Sequence, residues 1–105
     1  MKFVEVLLLE TAKEDLREGW CFYKQQRRGL GDYFLDSIQA DVRSLTVYAG
    51  IHAKAAGFHR MLAKRFPFAV YYLLEGQRIE VYAILDCRRD PEGTITRLDA
   101  SRPTP

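Results

Sequence analysis

Five basic residues in the second half of the chain, Arg60, Lys64, Arg65, Arg88 and Arg89, are the side chains best suited to chemistry. A guanidinium is a planar fork of donors that stays charged at physiological pH and matches phosphate or carboxylate oxygens two at a time. Such groups either hold an anionic partner or, beside a reacting phosphate, stabilise the charge that develops there. The plainer alternative is a solvated sheet edge, where charges keep one sheet from pairing with another. Residue types alone leave both open.

Other chemistries have less to work with. His52 and His59 have no Cys or carboxylate at ligand spacing beside them, so the sequence predicts no metal centre. Gly29-Leu30-Gly31 is too short for a phosphate-cradling loop and reads as a turn between helices. No Ser or Cys occupies the turn a hydrolase nucleophile needs, and no cofactor is expected. Cys21 and Cys87 are too few for a disulfide framework and read as free thiols of a reducing compartment. The formal net charge of +2 is uneven. Residues 1–50 sum to −1 and residues 51–105 to +3, a bias that suits an acidic partner without deciding which. The longest apolar run, Phe66 to Leu74, falls short of the ~20 residues that span a bilayer. With no secretory segment at the N-terminus, the expectation is a soluble, cytoplasmic protein.

The elements that must position these residues follow from periodicity. Lys2–Leu9 reads as a strand. Thr11-Ala12-Lys13-Glu14 has the capping-box pattern, with Thr11 as N-cap of a helix whose stripe is Ala12, Leu16, Trp20 and Tyr23. Gly29 stops that helix, and Asp32 is the expected N-cap of a second, with Phe34, Ile38, Val42 and Leu45 buried. The short loop between them makes a helical hairpin. Gly50–Gly57 reads either as continued helix or as a connector. From Phe58 the period becomes two: Phe58–Lys64 is a strand presenting Arg60 and Lys64 on one face, and Phe68–Leu74 pairs with Arg78–Leu85 around Glu75-Gly76-Gln77. Trp20, Tyr23, Phe34, Phe66, Phe68, Tyr71, Tyr72 and Tyr82 fall mostly on core stripes, whereas Tyr33 and Tyr48 read as surface residues. The expected fold is α+β, ordered β-α-α-β-β-β, with the helical hairpin on one face of a small, mainly antiparallel sheet. Residues 1–100 form one domain and residues 101–105 a flexible Pro-rich tail.

Three segments in this order carry a family resemblance. They are Gly29-Leu30-Gly31-Asp32-Tyr33-Phe34-Leu35, the stretch Arg65-Phe66-Pro67-Phe68-Ala69-Val70-Tyr71-Tyr72, and Ile79-Glu80-Val81-Tyr82-Ala83-Ile84-Leu85 leading into Arg88-Arg89-Asp90-Pro91. Together they resemble the RelE/ParE family of small bacterial toxins, from the first strand to about Leu98. The resemblance implies the toxin of a type II toxin–antitoxin (plasmid stabilisation) system. Its partner would be a cognate antitoxin whose C-terminal segment folds onto the toxin.

Two branches of the family imply different targets. In one, the toxin enters the ribosome and cuts mRNA without a metal, using basic residues; here those would be Arg60, Lys64, Arg88 and Arg89. In the other it binds and poisons DNA gyrase and performs no chemistry of its own. The chain has Ala69 where the ribonuclease branch often has arginine, and no tyrosine follows Tyr82. The glycine turn and Phe66-Pro67-Phe68 look more like the ParE-like side, although Asp86-Cys87 stands where that side commonly has histidine. The leading expectation is a ParE-like gyrase poison, with Arg60, Arg65, Arg88 and Arg89 contacting target and antitoxin on one basic face. A ribosome-dependent endoribonuclease is the alternative, and a non-toxic or degenerate member the third.

Overall fold

The structure, a computed structural model, describes residues 5–103. Its elements are β1 (Glu5–Leu8), α1 (Glu10–Gln26), α2 (Leu30–Tyr48), β2 (Lys54–Ala55), β3 (Phe58–Leu62), β4 (Phe68–Glu75), β5 (Arg78–Asp86) and α3 (Pro91–Ser101). The sheet runs β1-β5-β4-β3-β2; β1 is parallel to β5 and every other pair is antiparallel. The α+β class and the helical hairpin on one sheet face are as expected. Of the first strand, Lys2 to Val4 lie outside the described residues.

The hairpin face holds the larger core. Leu16, Tyr23, Phe34, Ile38, Val42 and Leu45 from α1 and α2 meet Met61, Phe68, Val70, Tyr72, Ile79, Val81 and Ile84 from the sheet. Strict alternation along β5 would put Ile84 on the opposite face from Ile79 and Val81. A β-bulge prevents that: Tyr71 pairs with Ala83 but Tyr72 with Val81, leaving Tyr82 as the extra residue. One additional residue shifts the phase by one, so Ile84 rejoins the hairpin face.

The second sheet face carries Phe58, Ala69, Tyr71, Tyr82, Ala83 and Leu85, and Leu98 of α3 covers them. α3 was not foreseen. Asp90 caps it, its side chain accepting from the Gly93 N–H at 3.2 Å, and Pro91 starts it. It runs through Ser101, and Arg102 donates to the Ala56 carbonyl at 3.0 Å and to Asp99 at 2.9 Å. The flexible tail expected from residue 101 is thus structured at its start; residues 104 and 105 lie outside the described residues.

Other expectations change at helix ends. α1 begins at Glu10 with Leu9 as N-cap and no side-chain cap, so the capping box at Thr11 does not form. The Thr11 hydroxyl instead donates to the Tyr82 carbonyl at 2.9 Å. α2 starts at Leu30 after Gly29, whose φ of 82° is left-handed, so Asp32 is not its N-cap. Asp32 accepts from Trp20 Nε1 at 3.0 Å. The Gly50–Gly57 segment is neither helix nor plain connector. It contains β2 and a two-residue turn, Ala56-Gly57, with both φ values positive (54° and 87°), the twist that suits a tight hairpin into β3.

Candidate functional site

Arg60 on β3 and Arg89 beyond β5 line one cavity of about 450 Å³ between α3 and the second sheet face. Tyr71, Cys87, Leu98 and Arg102 also line it. Arg60 Nε donates to the Tyr71 hydroxyl at 3.1 Å, and its Nη2 lies 3.4 Å from Cys87 Sγ. The Tyr71 bond is the main reason the Arg60 pKa rises further. Since the Tyr71 oxygen accepts from Arg60, its own proton remains available to a ligand. Arg89 reaches toward α1 as well, 3.9 Å from Glu18. Arg102 belongs to this group and was missed, because it lay in the segment read as a tail.

The rest of the expected basic face is elsewhere. The bulge turns Asp86 to the hairpin side, and Arg88 follows it. Arg88 Nε and Nη2 donate to the two Asp86 oxygens at 3.0 and 2.7 Å, and Nη2 is 3.3 Å from the Tyr23 hydroxyl of α1. The carboxylate pushes the Arg88 pKa up, and Arg88 in turn holds the Asp86 carboxyl below its usual range. Lys64 and Arg65 are exposed in the β3–β4 turn. β3 ends at Leu62, so the alternation that would align Lys64 with Arg60 has lapsed. The Lys64 N–H donates to the buried Asp41 carboxylate at 3.1 Å, fixing the turn against α2. The five residues therefore divide between a cavity and a turn-built end of the molecule.

A third arrangement closes the open edge of β5. Past Val81 this strand has no partner on the β1 side, and α1 supplies one with side chains a helical turn apart. Thr11 donates to the Tyr82 carbonyl, and Asp15 accepts from the Ile84 N–H at 3.0 Å. Arg97 of α3 crosses from the other face to the same Asp15 oxygen at 3.0 Å. Burial raises the Asp15 pKa, opposed by the Ile84 N–H and by Arg97. The Thr-x-x-x-Asp spacing was the available signal, read only as a helix start.

At the sheet margin, β1 pairs with β5 alone, so its outer main-chain edge is open. A groove of about 620 Å³ beside it is floored by Leu8, Leu16, Trp20 and Leu35, with Lys13 and Arg17 on the rim. A neighbouring groove of about 480 Å³ continues past Val6 and Val42 to Arg43. Among the described residues no His/Cys/Asp/Glu cluster could hold a metal, and no helix is long and apolar enough to cross a membrane.

No family model matches the sequence, and no curated protein matches it. A solved structure described as the chromosomal ParDE TA system from P. aeruginosa does match in three dimensions. The TM-score is 0.65 at 18% sequence identity, over 79% of this chain and 94% of that one. The likeness is one of fold. It spans most of both chains, so the shared architecture includes the hairpin-on-sheet body rather than one motif.

Proposed function

We propose that this protein is the toxin of a type II toxin–antitoxin pair, ParE-like, acting in the cytoplasm by binding and poisoning DNA gyrase. The observation that carries the reading is the fold shared with a chain of a ParDE system, joined to the three sequence segments that resemble the family. The cognate antitoxin fits the open β1 edge and the apolar groove of Leu8, Leu16, Trp20 and Leu35. There an extended segment can add main-chain hydrogen bonds and seat alternate side chains. Arg43 on the rim favours an acidic segment, and Lys13 and Arg17, paired with Glu10 and Glu14, add less. Arg60 and Arg89 at the cavity, and Arg65 at the turn, are the groups offered to the target; Arg88 is engaged by Asp86 and Arg102 by Asp99.

Purified protein is expected to inhibit gyrase supercoiling and to trap cleaved DNA, both relieved by the antitoxin encoded beside it. Absence of both effects would remove the gyrase reading.

One observation favours the ribonuclease alternative: Arg60, Arg89 and the Tyr71 hydroxyl face one cavity, as electrostatic stabilisation of a phosphate requires. A general base is harder to find, since Asp99 at that cavity is engaged by Arg102, and Asp86, at its margin with the carboxylate toward the hairpin side, by Arg88. Toeprinting on translating ribosomes separates the two readings. Message cuts that vanish in Arg89→Ala would replace gyrase by the ribosome as target.

A further inference from the structure

Charge pairing across the surface is uneven. Seven of the described basic side chains sit in ion pairs, and Arg60 is bound to Tyr71. Among the described residues, the seven others are Lys24, Arg27, Arg28, Arg43, Lys54, Lys64 and Arg65. Five of these gather at one end. Lys24, Arg27 and Arg28 finish α1 and lead into the turn before α2, while Lys64 and Arg65 form the β3–β4 turn.

Aromatic packing places the two turns side by side. Phe66, next to Arg65, packs on Tyr23 in the last turn of α1 at 4.9 Å between ring centroids, and on Tyr33 in the first turns of α2 at 5.5 Å. Tyr33 is 50% exposed, so much of its ring is open to solvent. Of the carboxylates around this end, Asp86 is held by Arg88, Glu18 faces Arg89 and Asp32 accepts from Trp20, while Asp36, a helical turn beyond Tyr33, is exposed; the cations outnumber these free acids. Lys24 leans on the Trp20 ring at 4.5 Å from its centroid.

Unpaired cations on two adjoining turns, with an open aromatic ring between them, are the parts of a strand-binding surface. The cations neutralise successive phosphates, and the ring offers a stacking platform indifferent to base identity. We propose that this end of the molecule docks a nucleic-acid strand, with Arg27, Arg28, Lys64 and Arg65 on the phosphates and Tyr33 against a base. An acidic peptide would use the charges but leave the exposed ring without a purpose. The proposal does not rest on the toxin reading, since strand capture and gyrase inhibition are separate measurements.

The test is fluorescence anisotropy of the full chain with a short labelled single-stranded DNA, its RNA counterpart and the corresponding duplex, over a range of salt. The expected result is salt-dependent binding that weakens at least about tenfold, at low salt, in R27E/R28E and in K64E/R65E. Each pair should flatten the logarithmic salt slope by about 1.4, as two lost single-strand phosphate contacts require. Tyr33→Ala should weaken single-strand binding by about tenfold, in line with one lost stack, and spare the duplex. All these side chains are exposed, so the variants keep the fold. Preference for RNA or for DNA would identify the source of the strand and leave the surface in place. No binding at low salt would overturn the proposal. So would an equal loss in R43E/K54E, which reports bulk charge, or loss confined to Arg60→Ala, which moves the strand to the cavity.

Discussion

Tyr72 is a hydroxyl-bearing ring with 0% exposure, and its neighbours tie the protonation of one imidazole to the fold. The Gly50 N–H donates to its oxygen at 2.9 Å, so the phenolic proton goes to His52 Nδ1, 2.6 Å away. That arrangement demands neutral His52 with its own proton on Nε2. His59 stacks on the Tyr72 ring and donates from Nδ1 to the His52 carbonyl at 2.7 Å. Burial, then the neighbouring His59, pushes the His52 pKa below its ordinary 6.5. Well above pH 6.5 the imidazole is neutral both folded and unfolded, and its contribution to stability is complete. As the pH falls below that value the unfolded chain takes the proton first, so stability declines until the lowered folded pKa is passed. Denaturation at several pH values should show wild type losing stability between neutral and mildly acidic pH, by at most about 1.4 kcal/mol per pH unit for this one proton. His52→Gln, whose amide oxygen can accept from Tyr72, should lose less over the same range. Equal slopes would mean that His52 does not titrate through this contact. Spacing in the sequence assigned these histidines no role beyond ruling out a metal pair, because a bond made across 20 residues leaves no mark in local spacing.

The helical hairpin was legible because Leu16, Tyr23, Phe34, Ile38, Val42 and Leu45 recur with the period of a helix and are buried together. Its closeness was not. A Cβ at Gly19 would lie 2.5 Å from the Phe34 ring, so α1 and α2 approach at a point that tolerates no side chain. Tyr23, Phe66 and Phe68 surround that ring and leave it little room to turn aside. Gly19→Ala should therefore destabilise the protein by about 1–3 kcal/mol in urea unfolding, despite the better helix propensity of alanine. An unchanged midpoint would mean that Phe34 finds another rotamer. α3 escaped notice for the opposite reason: its only buried side chain is Leu98, and one apolar residue makes no stripe. At Thr11 the local pattern misled by position: α1 begins one residue earlier, at Glu10, so Thr11 lies inside the helix and its hydroxyl is free to donate to the Tyr82 carbonyl.

Across the whole molecule, the candidate basic residues were legible as types and illegible as a group. Alternation assigns faces only while a strand lasts in register, and here β3 stops before Lys64 while a bulge rotates the end of β5. The same long-range stitching sets the order in which the protein can be completed. β1 is synthesised before its sheet partner β5, and Thr11 waits for Tyr82, 71 positions later. Until β5 emerges, α1 has neither the carbonyl for Thr11 nor the N–H for Asp15, and the strand that joins β1 to the rest of the sheet is missing. Such non-local closure is slow relative to helix formation. In refolding followed by pulsed hydrogen exchange, the Leu9 and Ile84 amides should gain protection after the α1–α2 amides, because their acceptors are Val81 and Asp15. Simultaneous protection would mean that the edges assemble with the hairpin. If the lag holds, a chain arrested before Arg78 holds both long helices while the strand to which α1 is stitched is still unmade.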